Sequence, residues 1–241
     1  KIAGTSVEYI DNVLSRYIAT DLKRAVEKKD TILLEKLVEA TKAIPSELPD
    51  GWREDVLRMD FYTQTYNQKE LVKVLHRYSR SLLAYDVSIL KKKDAESLKR
   101  FEDALAAGIM KNNTPAEIAL GRKYSARSAS FAYAYRIRDL SEAALKAIDD
   151  KKILKEALGW IYRAEAFSDN FSIPEAAAGL FLKLGKKNKA IQYQQKAIDA
   201  FDSMKMENNL VRGRLISNMA KIKAGQPTWL QAEAATTVAP R

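Results

Sequence analysis

Between Ile148 and Phe201 the same residue types return at a fixed offset, and nothing else in the chain restricts its fold as strongly. Ala157 recurs as Ala190, Ala164 as Ala197, and the apolar Ile148 as Phe181, each 33 residues later. Around Gly185 the local pattern is that of two helices and a turn. Apolar residues run to Leu184, and Gly185 is able to take the left-handed conformation that closes a helix. Ala190, Ile191, Tyr193, Ala197, Ile198 and Phe201 then follow at spacings of three and four, which marks one apolar helix face. Ala190 and Ala197 are small where two helices would have to approach closely. The alternative is an ordinary antiparallel helix pair with alanines in its seam.

The rest of the chain is compatible with helix throughout. Its 241 residues hold only 9 glycines and 6 prolines, Ala, Leu, Lys and Glu dominate, and no alternating run of β-branched residues occurs. Hydrophobic residues make up 46%, enough for a real core. With no cysteine, disulfides, thiol catalysis and thiolate metal sites are excluded, and the single histidine, His76, excludes a multi-histidine metal site. No apolar run approaches the length of a membrane span. The formal charge of +10 favours acidic partners or anionic surfaces. The basic residues are mostly mixed with acids, however. Only Lys91-Lys92-Lys93 clusters, beside Asp94, and it reads as a solvated helix face. The chain begins at Lys1, so a leader, an upstream domain or a tag is expected to have been removed.

Taken in order, Val7, Ile10, Leu14, Tyr17, Ile18, Leu22 and Val26 mark a first amphipathic helix. Asp30 and Thr31 cap a second, with Ile32, Leu33, Leu37 and Val38 on its apolar side. Two prolines and a glycine make 44–51 a loop. A third helix begins near Trp52 and a fourth near Gln68. His76 lies off the fourth helix's stripe and is expected at the surface. Another helix covers 94–110, joined to one ending near Lys93. Thr114, Pro115 and Glu117 form a capping box that opens the next. Tyr124, Phe131 and Tyr135 share one helix face and are expected in the core, with Tyr133 pointing elsewhere. Asn208-Asn209 caps a last helix with Leu210, Leu215, Ile216, Met219 and Ile222, which Gly225 and Pro227 stop. Trp229 and Leu230 are expected to fold back, and 232–241 to trail. These signals divide the chain into an irregular helical region (1–113), a repeat-like region with a terminal capping helix (114–227) and a tail (228–241).

A period of roughly 33 or 34 residues is that of tetratricopeptide hairpins. The chain resembles that family best over Pro174 to Phe201. Phe181, Gly185, Ala190 and Ala197 fall where the family keeps its aromatic, its turn glycine and its two small packing residues. It departs from the family at Pro174 and Ala178, at Tyr193, and at Lys152 in the earlier copy. A second resemblance, over roughly residues 115 to 225, is to the helical C-terminal extension of bacterial envelope thioredoxin-fold proteins. It is carried by Ala190, Ile191, Tyr193, Lys196, Ala197 and Ile198, then by Lys221, Ile222, Ala224 and Gly225. The redox cysteines of such proteins are absent here. This resemblance implies a non-catalytic arm of a larger envelope protein, periplasmic or otherwise extracytoplasmic, with the cytoplasm as the alternative.

The chain is therefore expected to be an all-α, right-handed array of antiparallel helix pairs, a tetratricopeptide-like solenoid of about nine to eleven helices. No catalytic constellation stands out. There is no phosphate-binding glycine loop, GxSxG or HExxH, and adjacent acids such as Glu102-Asp103 or Asp149-Asp150 diverge on a helix. The expected function is protein or peptide binding without a cofactor. The family resemblance, registered on Phe181, puts ligand-facing positions at Glu175, Gly179, Leu182 and Lys183, and at Glu142 and Lys146 one copy earlier. The alternative is a basic helical nucleic-acid binder that uses Arg122, Arg127, Arg136 and Arg138 beside the aromatics around Tyr124.

Overall fold

A computed structural model describes residues 17–42, 51–204 and 208–229. Among them the chain is helical, with no strand. Helix α1 covers residues 17–28. It is followed by α2 (Thr31–Lys42), α3 (Trp52–Gln64), α4 (Gln68–Leu83), α5 (Val87–Ala106), α6 (Pro115–Ser125), α7 (Ser128–Ala147), α8 (Lys151–Glu165), α9 (Ser172–Lys183), α10 (Lys187–Ser203) and α11 (Asn209–Ala224). Val7, Ile10, Leu14, the loop before Gly51, Leu230 and the trailing 232–241 lie outside the described residues.

Local sequence signals set most helix ends. Thr114 and Glu117 form the reciprocal capping box that opens α6. The Glu117 carboxylate accepts from the Thr114 backbone N–H at 2.7 Å, and the Thr114 hydroxyl accepts from the Glu117 N–H at 3.3 Å. Asn208 caps α11 by accepting from Val211 at 3.1 Å. Gly185 closes α9 at φ +76°. Its N–H reaches the Leu182 carbonyl at 2.9 Å, while the Lys186 N–H reaches Phe181 at 2.8 Å. That crossed pair satisfies carbonyls a helix end would leave bare. Gly225 closes α11 in the same way at φ +73°.

Consecutive helices pack on each other from α2 to α4 and from α7 to α11. Helix α7 is the hub, because it touches α3, α4, α5, α8 and α9. One apolar core runs from Leu22 to Ile222 and includes residues from both sides of the 113/114 boundary. The Tyr133 hydroxyl, for example, donates to the Leu82 carbonyl at 2.8 Å. All three pairs related by the 33-residue offset are buried: Ile148 with Phe181, Ala157 with Ala190, and Ala164 with Ala197. The helix ends themselves recur at a longer interval. Asp150 precedes α8 and Lys186 precedes α10, 36 positions apart. The three-residue difference is just under one helical turn, so both offsets land in the core.

Several expectations need correction. The helix expected over 94–110 is joined to the one before it, as expected, but the continuous α5 stops at Ala106 rather than Met110. The aromatic stripe Tyr124–Phe131–Tyr135 does not lie on one helix, because the backbone breaks at Ala126-Arg127 between α6 and α7. The break re-aims the rings. Tyr133, expected to point away, is only 2% exposed, whereas Tyr124 is 40% exposed. Tyr124 still meets Phe131 edge-on at 5.8 Å. Tyr17, Ile32, Leu210 and Ile216, assigned to apolar stripes, are exposed, and Leu34 is fully buried instead of Ile32. His76 is half-exposed as expected, with Nε2 3.1 Å from Glu156 Oε2. Trp229 does pack back on the core.

Helices α5 and α6 depart from the rest. In α5 only Leu90 and Asp94 are buried, and α6 has no buried residue at all. The two meet through Phe101, whose ring lies where a side chain on Gly121 would stand. The bidentate Arg122–Glu102 pair (2.6 and 3.1 Å) also joins them.

Candidate functional site

The six positions singled out from the resemblance come together along the α7–α9 seam, and all six are engaged within the chain. Gly179 is buried where α9 meets α7, and a Cβ there would stand 2.5 Å from Leu145 Cδ2. Leu182 packs against the core. Lys183 is only 12% exposed. Its ammonium donates to the Leu145 carbonyl at 2.9 Å, lies 3.2 Å from Asp149 and stands 5.5 Å from the Trp229 ring. It thus neutralises the C-terminal end of α7. Glu175 accepts from Asn218 at 2.9 Å and pairs with Arg214, so it ties α9 to α11. Glu142 lies 3.5 Å from Lys146 and 3.8 Å from Arg138, and Lys146 is exposed.

Burial holds the Glu175 carboxyl above the usual carboxylate range. Arg214 and Asn218 oppose that shift, and Glu142 adds to it. A carboxyl with a raised folded pKa takes its proton more readily in the folded chain. The stability it contributes is present below its unfolded value and is lost as pH rises through the folded value. Glu175→Gln is therefore expected to gain stability relative to the unmutated chain between about pH 4 and about pH 7.5. Urea midpoints at the two pH values measure the gap, and a gap that shrinks with pH would mean that Arg214 holds the carboxylate ionised.

An open cleft lies elsewhere, where α3, α5 and α7 meet, and its volume is about 460 Å³. The sequence builds it in three steps. Asp94 on α5 clasps the start of α7. Its carboxylate accepts from the Ala129 N–H at 2.7 Å, the Ser130 N–H at 3.2 Å and the Ser130 hydroxyl at 2.5 Å. The α4–α5 connection then places Tyr85 between Trp52 (5.3 Å between centroids) and Tyr133 (6.2 Å, stacked). Last, the Trp52 indole N–H is fixed to Ser81 Oγ at 2.6 Å, so that ring cannot swing. The result is an aromatic wall of Trp52, Tyr85 and Tyr133, faced by Lys93, Arg100 and Arg136, with Glu96 on the rim.

Arg136 is the unusual cation of this wall. It is half-buried, its guanidinium stands 5.9 Å from the Trp52 ring, and it has no carboxylate partner among the described residues. Behind Trp52, Tyr78 is buried, with its ring 6.0 Å from the indole and edge-on to it. Burial raises the Tyr78 phenol, against the opposing charge of Arg136. Arg136 also borders a second, largely apolar hollow of about 340 Å³ beside Leu22, Val56 and Leu57. The other arginines around Tyr124 are occupied. Arg122 is held by Glu102. Arg127 donates to the Phe167 carbonyl at 3.0 Å, and Arg138 donates to Asp139 at 3.0 Å and to Ser172 at 3.1 Å.

Sequence reasoning missed the cleft as a unit. Its signals were the acid-free Lys91–Lys93 cluster and Arg136 among aromatics, but nothing local indicates that Trp52, Tyr85 and Tyr133 converge. Among the described residues, no group of three or more acids or histidines is placed to hold a metal ion, and no helix is long and apolar enough to cross a membrane. Comparison with protein-family models, with curated proteins and with solved structures found no match for the chain.

Proposed function

We propose that the chain is a non-catalytic helical module that binds a peptide segment of a protein partner. The array reading is part of the proposal. The pairs α1–α2, α3–α4, α7–α8 and α9–α10 would stack as successive antiparallel hairpins in a right-handed solenoid. In that arrangement α11 is the cap, and α5–α6 is an excursion between the second and third pairs. The contact pattern supports it: α9 touches both members of the α7–α8 pair, and α7 stands in the same relation to α3 and α4. By the envelope resemblance the module would be the interaction arm of a larger extracytoplasmic protein.

The observation that carries the peptide reading is the open groove on α3 and α7. The cleft and the apolar hollow share Arg136 as a common border, so an occupant reaching both would be extended. Aromatic walls supply contact area at low entropic cost. Lys183 and Glu175, the positions taken from the family, are less suitable anchors because their charges are engaged within the chain.

Ala132 is exposed on the cleft lining, so tryptophan there fills the cleft without touching the core. Peptides selected from a display library on the purified chain are expected to lose at least about tenfold in affinity toward Ala132→Trp. Peptides that bind both forms equally would move the function away from this groove. A labelled single-stranded oligonucleotide tests the alternative: tight binding that falls steeply with salt would replace the peptide reading with the nucleic-acid one.

A further inference from the structure

The charge pattern of the cleft narrows its occupant. Lys93, Arg100 and Arg136 line it, against Glu96 on the rim and Asp94 just behind it. Among the described residues three cations therefore face two carboxylates, and the surplus is a single positive charge. Asp94 already accepts from the first N–H groups of α7, so the dipole at that helix end has its anion. A dianionic phosphate would face Glu96 with only one unmatched cation. A single carboxylate matches the surplus.

Arg136 shows where that carboxylate would sit. Among the described residues this half-buried guanidinium has no carboxylate beside it, and a planar carboxylate would satisfy its paired donors. Beside it stand Trp52, Tyr85 and Tyr133, and among the described residues no apolar group fills the space before them. Arg136 lies over the edge of this wall at 5.9 Å from Trp52, so an occupant would meet the aromatic faces and the charge together.

We propose that the α3–α5–α7 cleft is a recognition site for an apolar or aromatic group that bears one carboxylate. Arg136 holds the carboxylate, and Trp52, Tyr85 and Tyr133 hold the apolar body. This assignment deepens the peptide reading, since an acidic residue next to an apolar one in a partner peptide has this chemistry. A free organic acid has it too.

The test is titration of the isotope-labelled full chain, followed through the Trp52 indole N–H resonance, with two matched probe pairs. One pair is the dipeptide N-acetyl-Phe-Glu-amide against N-acetyl-Phe-Gln-amide. The other is phenylacetate against phenylacetamide. The acid of a pair is expected to bind about tenfold more tightly than its amide, and Arg136→Gln is expected to abolish the difference. Arg136→Lys, which keeps the charge but not the planar fork, should restore part of it. An unchanged urea midpoint of the ligand-free variants would show that the fold is intact. If the dipeptide pair behaves this way, both the site and the peptide reading stand. If only the phenylacetate pair does, the site stands for a free acid and the peptide reading fails. Amides that bind as well as acids, no binding by any probe, or an acid preference that survives Arg136→Gln would each overturn the assignment, and library peptides blocked by Ala132→Trp would still support the peptide reading.

Discussion

Replacing Asp94 by alanine is expected to lower the unfolding free energy by about 2–3 kcal/mol. The side chain is 8% exposed, and its carboxylate takes three hydrogen bonds from the first turn of α7. Alanine would leave the Ala129 and Ser130 N–H groups and the Ser130 hydroxyl without that acceptor in a part-buried place, and a donor stripped of its partner costs more than the bond contributed. Asparagine keeps one acceptor oxygen and should recover part of the loss. Urea unfolding of the two variants measures this. Equal midpoints for Asp94→Ala and the unmutated chain would mean that water replaces the clasp. The same substitution should also weaken cleft ligands, because Leu90 is the only other buried residue of α5.

The second large effect is expected at Phe181. Its ring is 2% exposed near the end of α9 and lies 5.0 Å from the Tyr193 ring of α10. Phe181→Ala removes most of the side chain from the seam between these helices and leaves a cavity, which costs about 3–5 kcal/mol in comparable cores. A second readout is available in the same variant. Burial, followed by the charge of Glu165, pushes the Tyr193 phenol up to about 12. Opening the seam to water should bring that titration down toward the ordinary tyrosine value, as ultraviolet absorbance in alkali will register. A loss below about 1 kcal/mol with an unmoved phenol would mean that the α9–α10 seam is held by its alanines alone.

What the sequence disclosed was local. Thr114 and Glu117 cap a helix three residues away, Gly185 sits at the one φ its turn requires, and Ala157, Ala164, Ala190 and Ala197 are all buried as their spacing predicts. What it withheld depends on partners far along the chain. Asp94 reads as a residue inside an α5 helix, and its role at Ala129 becomes visible only when α5 lies against α7. Tyr133 points away only on a helix unbroken across Ala126-Arg127, and the break there turns it inward. Lys183 looks like a surface cation until the Leu145 carbonyl and Asp149 are found beside it. The cleft belongs to this second kind, since its wall is drawn from α3, the α4–α5 connection and α7.

The thin attachment of α5–α6 has a kinetic consequence. A hairpin tied to the body mainly by Leu90 and Asp94 can detach while the core around α7 stays intact, so its amide protons should exchange through small local openings. Because α5 supplies one side of the cleft, the site would open and close with that detachment. A ligand bridging α5 and α7 would then slow exchange along the whole excursion, far beyond the residues it touches, and its own departure would be timed by the hairpin's breathing.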